Sequence, residues 1–385
     1  MDSYCILPWI HEHIDTQGFY KPCCISTLKI GKVESGKDQE KLLHLKQQLL
    51  AGEQPRSCNG CWLREQKGLE SERLKQNAQY AGLLAGCPQL KTVQFSLPIS
   101  FDLRISNRCN LRCRTCWIGA SSSWFSDARA LGQKPKAALV EWNTDSLEYF
   151  KQLPLPSQQQ ACGSIPEFYF AGGEPFLEPR HGEVLEILLA KTKGKARLRY
   201  TTNLTRFTTP LEELSALFAQ FESVTLEVSI DHLGSGAEWM RKGKKWSLIE
   251  ANLRCFQQQT EVQLIWHPTV SLLNVRWLPY IHKHLVQNHF FALNNLWINV
   301  LERPSHFSLQ QLPPAVKETA IRNFVYHISW LEQRNADSTT LQQFQRLLAV
   351  IKASEPVLPP QLKTELGALD TIRKEKSADF LSLEN

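Results

Sequence analysis

ISNRCNLRCRTCW, residues 105–117, sets Cys109, Cys113 and Cys116 in one short loop. It overlaps the end of SFDLRIS at 100–106, which reads as a strand, so the loop falls just past that strand. Thiolates are soft ligands, suited to zinc or to iron–sulfur clusters. Three of them hold three corners of a 4Fe–4S cube and leave the fourth iron open unless a distant cysteine closes it. An open iron suits catalysis, as an open position does in catalytic zinc sites. The competing reading is a zinc site with its fourth ligand elsewhere.

Outward from the loop, short runs rich in β-branched and aromatic residues recur at 166–171 (PEFYFA), 196–202, 224–230, 261–271 and 295–301. Helical patterns at 181–193, 211–221, 246–259 and 276–288 separate them. Alternation of this kind argues for βαβ units and a parallel sheet. The strands number about six, fewer than the eight of a closed barrel. The fold class is therefore α/β, a partial (β/α)6 TIM-like barrel over 96–301. A small cysteine-rich domain occupies 1–95, with helices near 38–51 and 62–84. A helical extension covers 302–385 and ends in the polar tail KEKSADFLSLEN. The Pro- and Gln-rich stretch LPLPSQQQACGS at 153–164 reads as an exposed insertion. Polar residues fall at strand ends: Asn203 after the third, Ser229 and Asp231 after the fourth, Thr269 and Ser271 at the fifth. The C-terminal strand ends are where barrel active sites form.

The composition fits a folded metal-binding chain. Of 385 residues, 42% are hydrophobic and 21% charged, enough to bury a large core. The net charge of +6 is a mild excess that suits an anionic partner without demanding one. No run of 18 apolar residues appears, so no membrane span is expected. The opening MDSYCILPWIHEH lacks a basic region followed by a long apolar run, so export is not expected either, and the cytoplasm is the expected location. Eleven cysteines in a reducing compartment point to metal binding or chemistry rather than disulfides. Cys87, Cys162 and Cys255 stand alone and read as small buried apolar residues.

The loop resembles the signature of the radical S-adenosylmethionine superfamily, C-x3-C-x2-C with an aromatic beside the last cysteine, here Trp117. FAGGEP at 170–175 is similar to that family's Gly-Gly-Glu-Pro stretch after the second strand. The resemblance implies that Gly172, Gly173 and Glu174 line the methionine amino group of S-adenosylmethionine. Glycines allow close backbone approach, and a carboxylate accepts from an ammonium. Arg241, in WMRKG, resembles an Arg that pairs with the methionine carboxylate in peptide-modifying members. By the same resemblance Ser229 shares that role and Asn203 meets the ribose or methionine part. These residues and the cysteine loop are expected to converge on one mouth.

The N-terminal cysteines resemble an auxiliary-cluster domain. Cys5, twelve residues, Gly18 and four more before Cys23 look like the opening of the SPASM domain. With only Cys58 and Cys61 to follow, the unit is closer to the shortened twitch form, although it precedes the barrel here instead of following it. The resemblance implies a second 4Fe–4S cluster on Cys5, Cys23, Cys58 and Cys61, with Cys24 as the alternative to Cys23. Zinc remains the other reading of this set. His11 and His13, in WIHEHID, read as partly buried residues, with lining the site as the second possibility.

Together these features imply a radical S-adenosylmethionine enzyme. It would cleave its cofactor reductively to a 5′-deoxyadenosyl radical and abstract hydrogen from a peptide or small metabolite. The reading implies a reductant such as flavodoxin or ferredoxin and needs no protein base for hydrogen abstraction. A nucleic-acid partner is not expected. A radical-based RNA-modifying enzyme and a non-enzymatic zinc-binding adaptor are the alternatives.

Overall fold

The computed structural model describes residues 3–66, 70–104, 106–133, 139, 146–153, 155–156, 163–259 and 261–377. Cys162, most of the Gln-rich loop and the end of the polar tail lie outside them. The chain divides into two compact units. The first comprises residues 1–108, 139–200 and 207–225; the second comprises 109–138, 201–206 and 226–385.

In the first unit the strand order is Tyr20–Lys21, His11–Ile14, Ser100–Leu103, Glu167–Phe170 and Arg197–Thr202, whose last two residues count with the second unit. His11–Ile14 pairs parallel with Ser100–Leu103, which pairs parallel with Glu167–Phe170, and that in turn with Arg197–Thr202. Phe101, Phe168, Phe170, Leu198 and Tyr200 are buried on one face. Their rings stack, Phe101 on Phe168 at 4.9 Å and Phe170 on Tyr200 at 5.1 Å, and helix His181–Thr192 brings His181 against Phe170. By the period-two alternation of a strand, His13, Asp102, Tyr169 and Arg199 belong to the opposite face. Sequence reading did not single out His11–Ile14 as a strand. HEHI carries three polar residues, and its place is earned by pairing with a partner about 90 positions away.

A separate apolar cluster fills the N-terminal part of this unit. It contains Ile6, Trp9, Ile10, Leu45, Leu49, Trp62, Cys87, Leu90 and Leu97, with Cys5 and Cys58 packed against it. Helix Gln39–Leu50, N-capped by Asp38 through Lys41 N, supplies Leu45 and Leu49. The stretch expected as one helix at 62–84 forms separate pieces, Asn59–Gln66, Glu72–Gln79 and Ala81–Gly86, because Ser71 caps a new start by accepting from Leu74 N.

The second unit holds strand Val262–Trp266 and the parallel pair Thr269–Val270 and Asn299–Val300. It also holds helices Trp246–Gln257, Leu278–Gln287, Pro314–Glu332, Ser338–Ala353 and Pro360–Arg373. Along the chain, the strands at 167–170, 197–202, 223–228 and 299–300 are each followed by helix, and a two-residue strand comes between 100–103 or 262–266 and the next helix, the strand–helix order of the expected α/β class. No helix among the described residues is long and apolar enough to cross a membrane.

Candidate metal and cofactor site

The cysteine loop is framed within the second unit by backbone pairing. Arg112–Cys113 pairs antiparallel with Arg241–Lys242, and Arg114 N donates to Met240 O at 2.8 Å. Cys116 N donates to Cys113 O at 3.1 Å, and Trp124 Nε1 donates to the same carbonyl at 2.9 Å. Of the predicted residues, Asn203 and Arg241 reach this loop. Asn203 Nδ2 lies 3.1 Å from Asn110 Oδ1 and 3.9 Å from Cys109 Sγ. Asn110 Nδ2 in turn donates to Thr205 Oγ1 at 2.8 Å. Arg241 Nη1 lies 3.8 Å from Cys113 Sγ, while its Nε and Nη2 grip Asp231 at 2.7 and 3.0 Å. Asp231 Oδ1 also accepts from Thr269 N at 2.9 Å. Ser229 is buried, and Ser271 is tied to Asn274, whose amide donates to Asp231 O. Trp117 is 66% exposed, an open aromatic face beside Cys116.

Burial pushes the Cys116 thiol up to about 12, with Cys113 adding to it. Burial raises Cys113 too, against the Arg241 guanidinium, which lowers it. Buried thiols of this kind become thiolates when a bound metal supplies the compensating charge. Sequence reading missed Lys244. It lies in the basic stretch RKGKK, yet it is buried, and burial together with Arg241 pulls its ammonium down to about 7. It also missed Glu227, whose Oε2 accepts from Thr201 Oγ1 at 2.8 Å and lies 3.2 Å from His267 Nδ1.

Gly172, Gly173 and Glu174 belong to the first unit. Both glycines have positive φ, +83° and +55°. A Cβ on Gly173 would lie 2.3 Å from Arg108 O, and Glu174 N donates to that same carbonyl at 2.7 Å. The close approach that glycine permits here is to the chain's own backbone at Arg108, the residue before Cys109. Glu174 is almost fully buried, and its Oε1 accepts from Phe176 N at 3.4 Å.

The N-terminal cysteines come from three places in the first unit. Cys5 precedes the short helix Leu7–Ile10, Cys23 follows strand Tyr20–Lys21, and Cys58 and Cys61 flank the start of helix Asn59–Gln66. Burial pushes Cys5 up to about 12, and the neighbouring Cys58 and Cys61 thiols add to it. Burial also raises Cys23, with Cys24 and Cys5 adding. Cys24 is exposed and has Asp102 and Arg104 as charged neighbours. None of these described thiols is in a disulfide.

His11, His13 and Asp102 offer ligand atoms within 4.8 Å of one another. His13 Nδ1 is 2.9 Å from Asp102 Oδ2, and His11 Nδ1 is 2.8 Å from Ser100 Oγ. Arg104, however, holds both Asp102 oxygens, Nε at 2.8 Å and Nη2 at 3.2 Å. Its positive charge there opposes a cation, so the trio reads as a sheet-face network.

The model of the Radical SAM superfamily matches residues 103–266. Among curated proteins, the antilisterial bacteriocin subtilosin biosynthesis protein AlbA of Bacillus subtilis (strain 168) is 24% identical over 157 residues, 41% of this chain and 30% of AlbA. The chain thus spans about a third of that relative's length. Among solved structures, a histidine-tagged anSMEcpe with bound AdoMet has 18% identity and a TM-score of 0.44, covering 61% of this chain and 59% of its own. SuiB of Streptococcus suis bound to the precursor peptide SuiA has 12% identity and a TM-score of 0.41, covering 85% and 69%. Residues 103–266, which include the cysteine loop, the Gly-Gly-Glu turn and Arg241, are thus the stretch that is similar to the Radical SAM superfamily.

Proposed function

We propose that the protein is a radical S-adenosylmethionine enzyme acting on a peptide or small metabolite. The observation that carries this reading is the three-thiol loop braced by Asn203 and Arg241 inside the matched domain. A 4Fe–4S cluster with one iron not held by protein supplies, when bound with S-adenosylmethionine, the electron and the deoxyadenosyl radical for hydrogen abstraction. Cys109, Cys113 and Cys116 would hold it. Glu174 is suited to accept from the methionine ammonium, and Arg241 and Ser229 to face its carboxylate. Asn203, already bonded to Asn110, would orient toward the ribose or methionine part. Arg241 also presents positive charge and an N–H to Cys113, the kind of hydrogen bond that tunes an iron–sulfur centre.

A second cluster on Cys5, Cys23, Cys58 and Cys61 is part of the same reading. Cys23 is half-buried whereas Cys24 is exposed, which favours Cys23 as the fourth ligand. Four protein thiolates leave no open iron, which suits electron transfer. A single zinc ion would draw its thiolates to within about 4 Å of one another. Among the described residues, the ligand trio within 4.8 Å is His11, His13 and Asp102, not a set of cysteines. The bacteriocin biosynthesis in AlbA's name favours a peptide over a sugar or other small metabolite. An acidic carrier such as flavodoxin or ferredoxin would supply electrons, in the cytoplasm.

Iron, sulfide and zinc analysis of anaerobically purified protein tests this. About eight irons per chain are expected for two cubanes, with 5′-deoxyadenosine formed under dithionite. Zinc without iron or sulfide removes the enzyme reading and leaves the adaptor.

A further inference from the structure

Arg114 stands between Cys113 and Cys116, and its side chain is wholly buried. Its guanidinium lies 4.3 Å over the Trp239 ring and its Nε donates to Trp239 O at 3.2 Å. Its Nη2 donates to Asp370 Oδ1 at 3.1 Å and to Glu375 Oε2 at 2.6 Å. Both acids belong to the C-terminal extension: Asp370 in the last turn of helix Pro360–Arg373, Glu375 just past it. The same segment reaches the loop twice more. Lys242, on the strand paired with Arg112–Cys113, lies 2.7 Å from the other Glu375 oxygen. Arg373 Nε donates to Asp127 Oδ2 at 2.8 Å, and Asp127 Oδ1 is 2.6 Å from Arg112 Nη1. Arg373 also lies 5.1 Å over the Trp124 ring, and Trp124 is the residue that donates to Cys113 O. Asp370 is aimed by Ser377, whose N and Oγ donate to it at 2.6 and 2.7 Å.

The residues on both sides of Cys113 are thus tied to the C-terminal segment, Arg114 directly and Arg112 through Asp127. A buried guanidinium stripped of its carboxylates is not tolerated in place. The inward-facing Arg114, and the shape of Cys113–Cys116 with it, therefore depends on the docked segment. Resting on the reading of Cys109, Cys113 and Cys116 as cluster ligands, we propose that residues 370–375 lock the cysteine loop, making the C-terminal extension part of the cluster's housing. Asp370 and Glu375 are positioning residues: they touch no cofactor and act through Arg114.

The test compares wild type with Asp370→Asn combined with Glu375→Gln, in the full chain after anaerobic cluster reconstitution. Three things are measured: circular dichroism, the rate of iron release to a chelator, and the electron paramagnetic resonance spectrum of the reduced cluster with and without S-adenosylmethionine. The expected result is normal secondary structure and an unchanged slow iron fraction from the N-terminal cysteines. The other half of the iron should leave about 10-fold faster, the usual scale for loss of a partner behind a metal ligand. The spectrum of that cluster should shift. Asp370→Glu, which keeps the charge, should behave as wild type. If the double variant does not fold, Asp370→Asn alone, which retains Glu375, is read the same way with a smaller acceleration. Wild-type release rate and spectrum in the neutralised variant overturn the lock. Replacing Cys109, Cys113 and Cys116 by Ala separates the two failures. If that variant loses half the iron while the neutralised variant is unchanged, only the lock is wrong. Absence of iron from the wild type overturns both.

Discussion

Glu174 and Gly173 show how neighbouring residues in one motif carry different tests. Gly173 has its Cβ position 2.3 Å from Arg108 O and a φ of +55°, so Gly173→Val strains the turn whatever binds nearby. It reports on the fold of the segment leading into Cys109 rather than on the cofactor. Glu174→Gln keeps the shape and removes only the charge. It should weaken S-adenosylmethionine binding by about tenfold or more, the scale of a lost charge-assisted hydrogen bond. Anaerobic binding measurements on the folded variant check this, and unchanged affinity would take Glu174 out of the methionine site. The type and place of both residues were legible in FAGGEP, but the role of Gly173 was not. Spacing says that a backbone comes close to something; only the folded chain shows that the something is Arg108.

Helices Leu278–Gln287 and Pro314–Glu332 meet through a buried histidine pair, at the scale of the element. His282 Nδ1 lies 2.9 Å from His327 Nε2, and His282 stacks on Trp266 and Phe344. Burial pulls His282 down to about 4, and burial together with His282 and Lys283 pulls His327 down to about 2. Both are neutral when folded, so below the ordinary value of 6.5 the unfolded chain takes up protons that the folded chain refuses. Stability contributed by the neutral pair is full above about pH 7 and is lost as pH falls from 6.5 toward 4. Between pH 7.5 and 5.5 the loss should be about 1 kcal/mol per histidine. Denaturant unfolding at the two pH values should show it, and His282→Gln with His327→Gln should flatten the difference. An equal pH dependence in the double variant would show that other groups are responsible. Helix Leu278–Gln287 was legible from its helical pattern, and Pro314–Glu332 only as part of a helical extension. The pairing of His282 with His327 was not, because a lone histidine in a helical pattern carries no mark of its partner 45 residues on.

On the scale of the whole chain, the N-terminal cysteines test whether the proposed second cluster is structure or wiring. The apolar cluster beside Cys5 and Cys58, built on Trp9, Leu45, Leu49, Trp62 and Leu90, is a core that does not consist of metal ligands. Cys58→Ala with Cys61→Ala should therefore fold, with about half the wild-type iron, and still form 5′-deoxyadenosine under a strong chemical reductant while substrate turnover fails. Thermal unfolding and iron content measured beside 5′-deoxyadenosine decide it. Collapse of the fold would assign the cluster to structure, and full turnover at normal stability would leave it no role. By itself the sequence determined the strand–helix alternation from Ser100 to Val300, the three-thiol loop after the first strand and the Gly-Gly-Glu turn after the second. Periodicity and short spacing are local properties, written within a dozen residues. The tertiary structure alone decided that HEHI joins the sheet beside Ser100–Leu103. It also decided that Arg114 is neutralised by Asp370 and Glu375, more than 250 positions away. These pairings arise because buried charge and unpaired strand edges must find partners, and which partner is within reach is fixed only once the whole chain has packed.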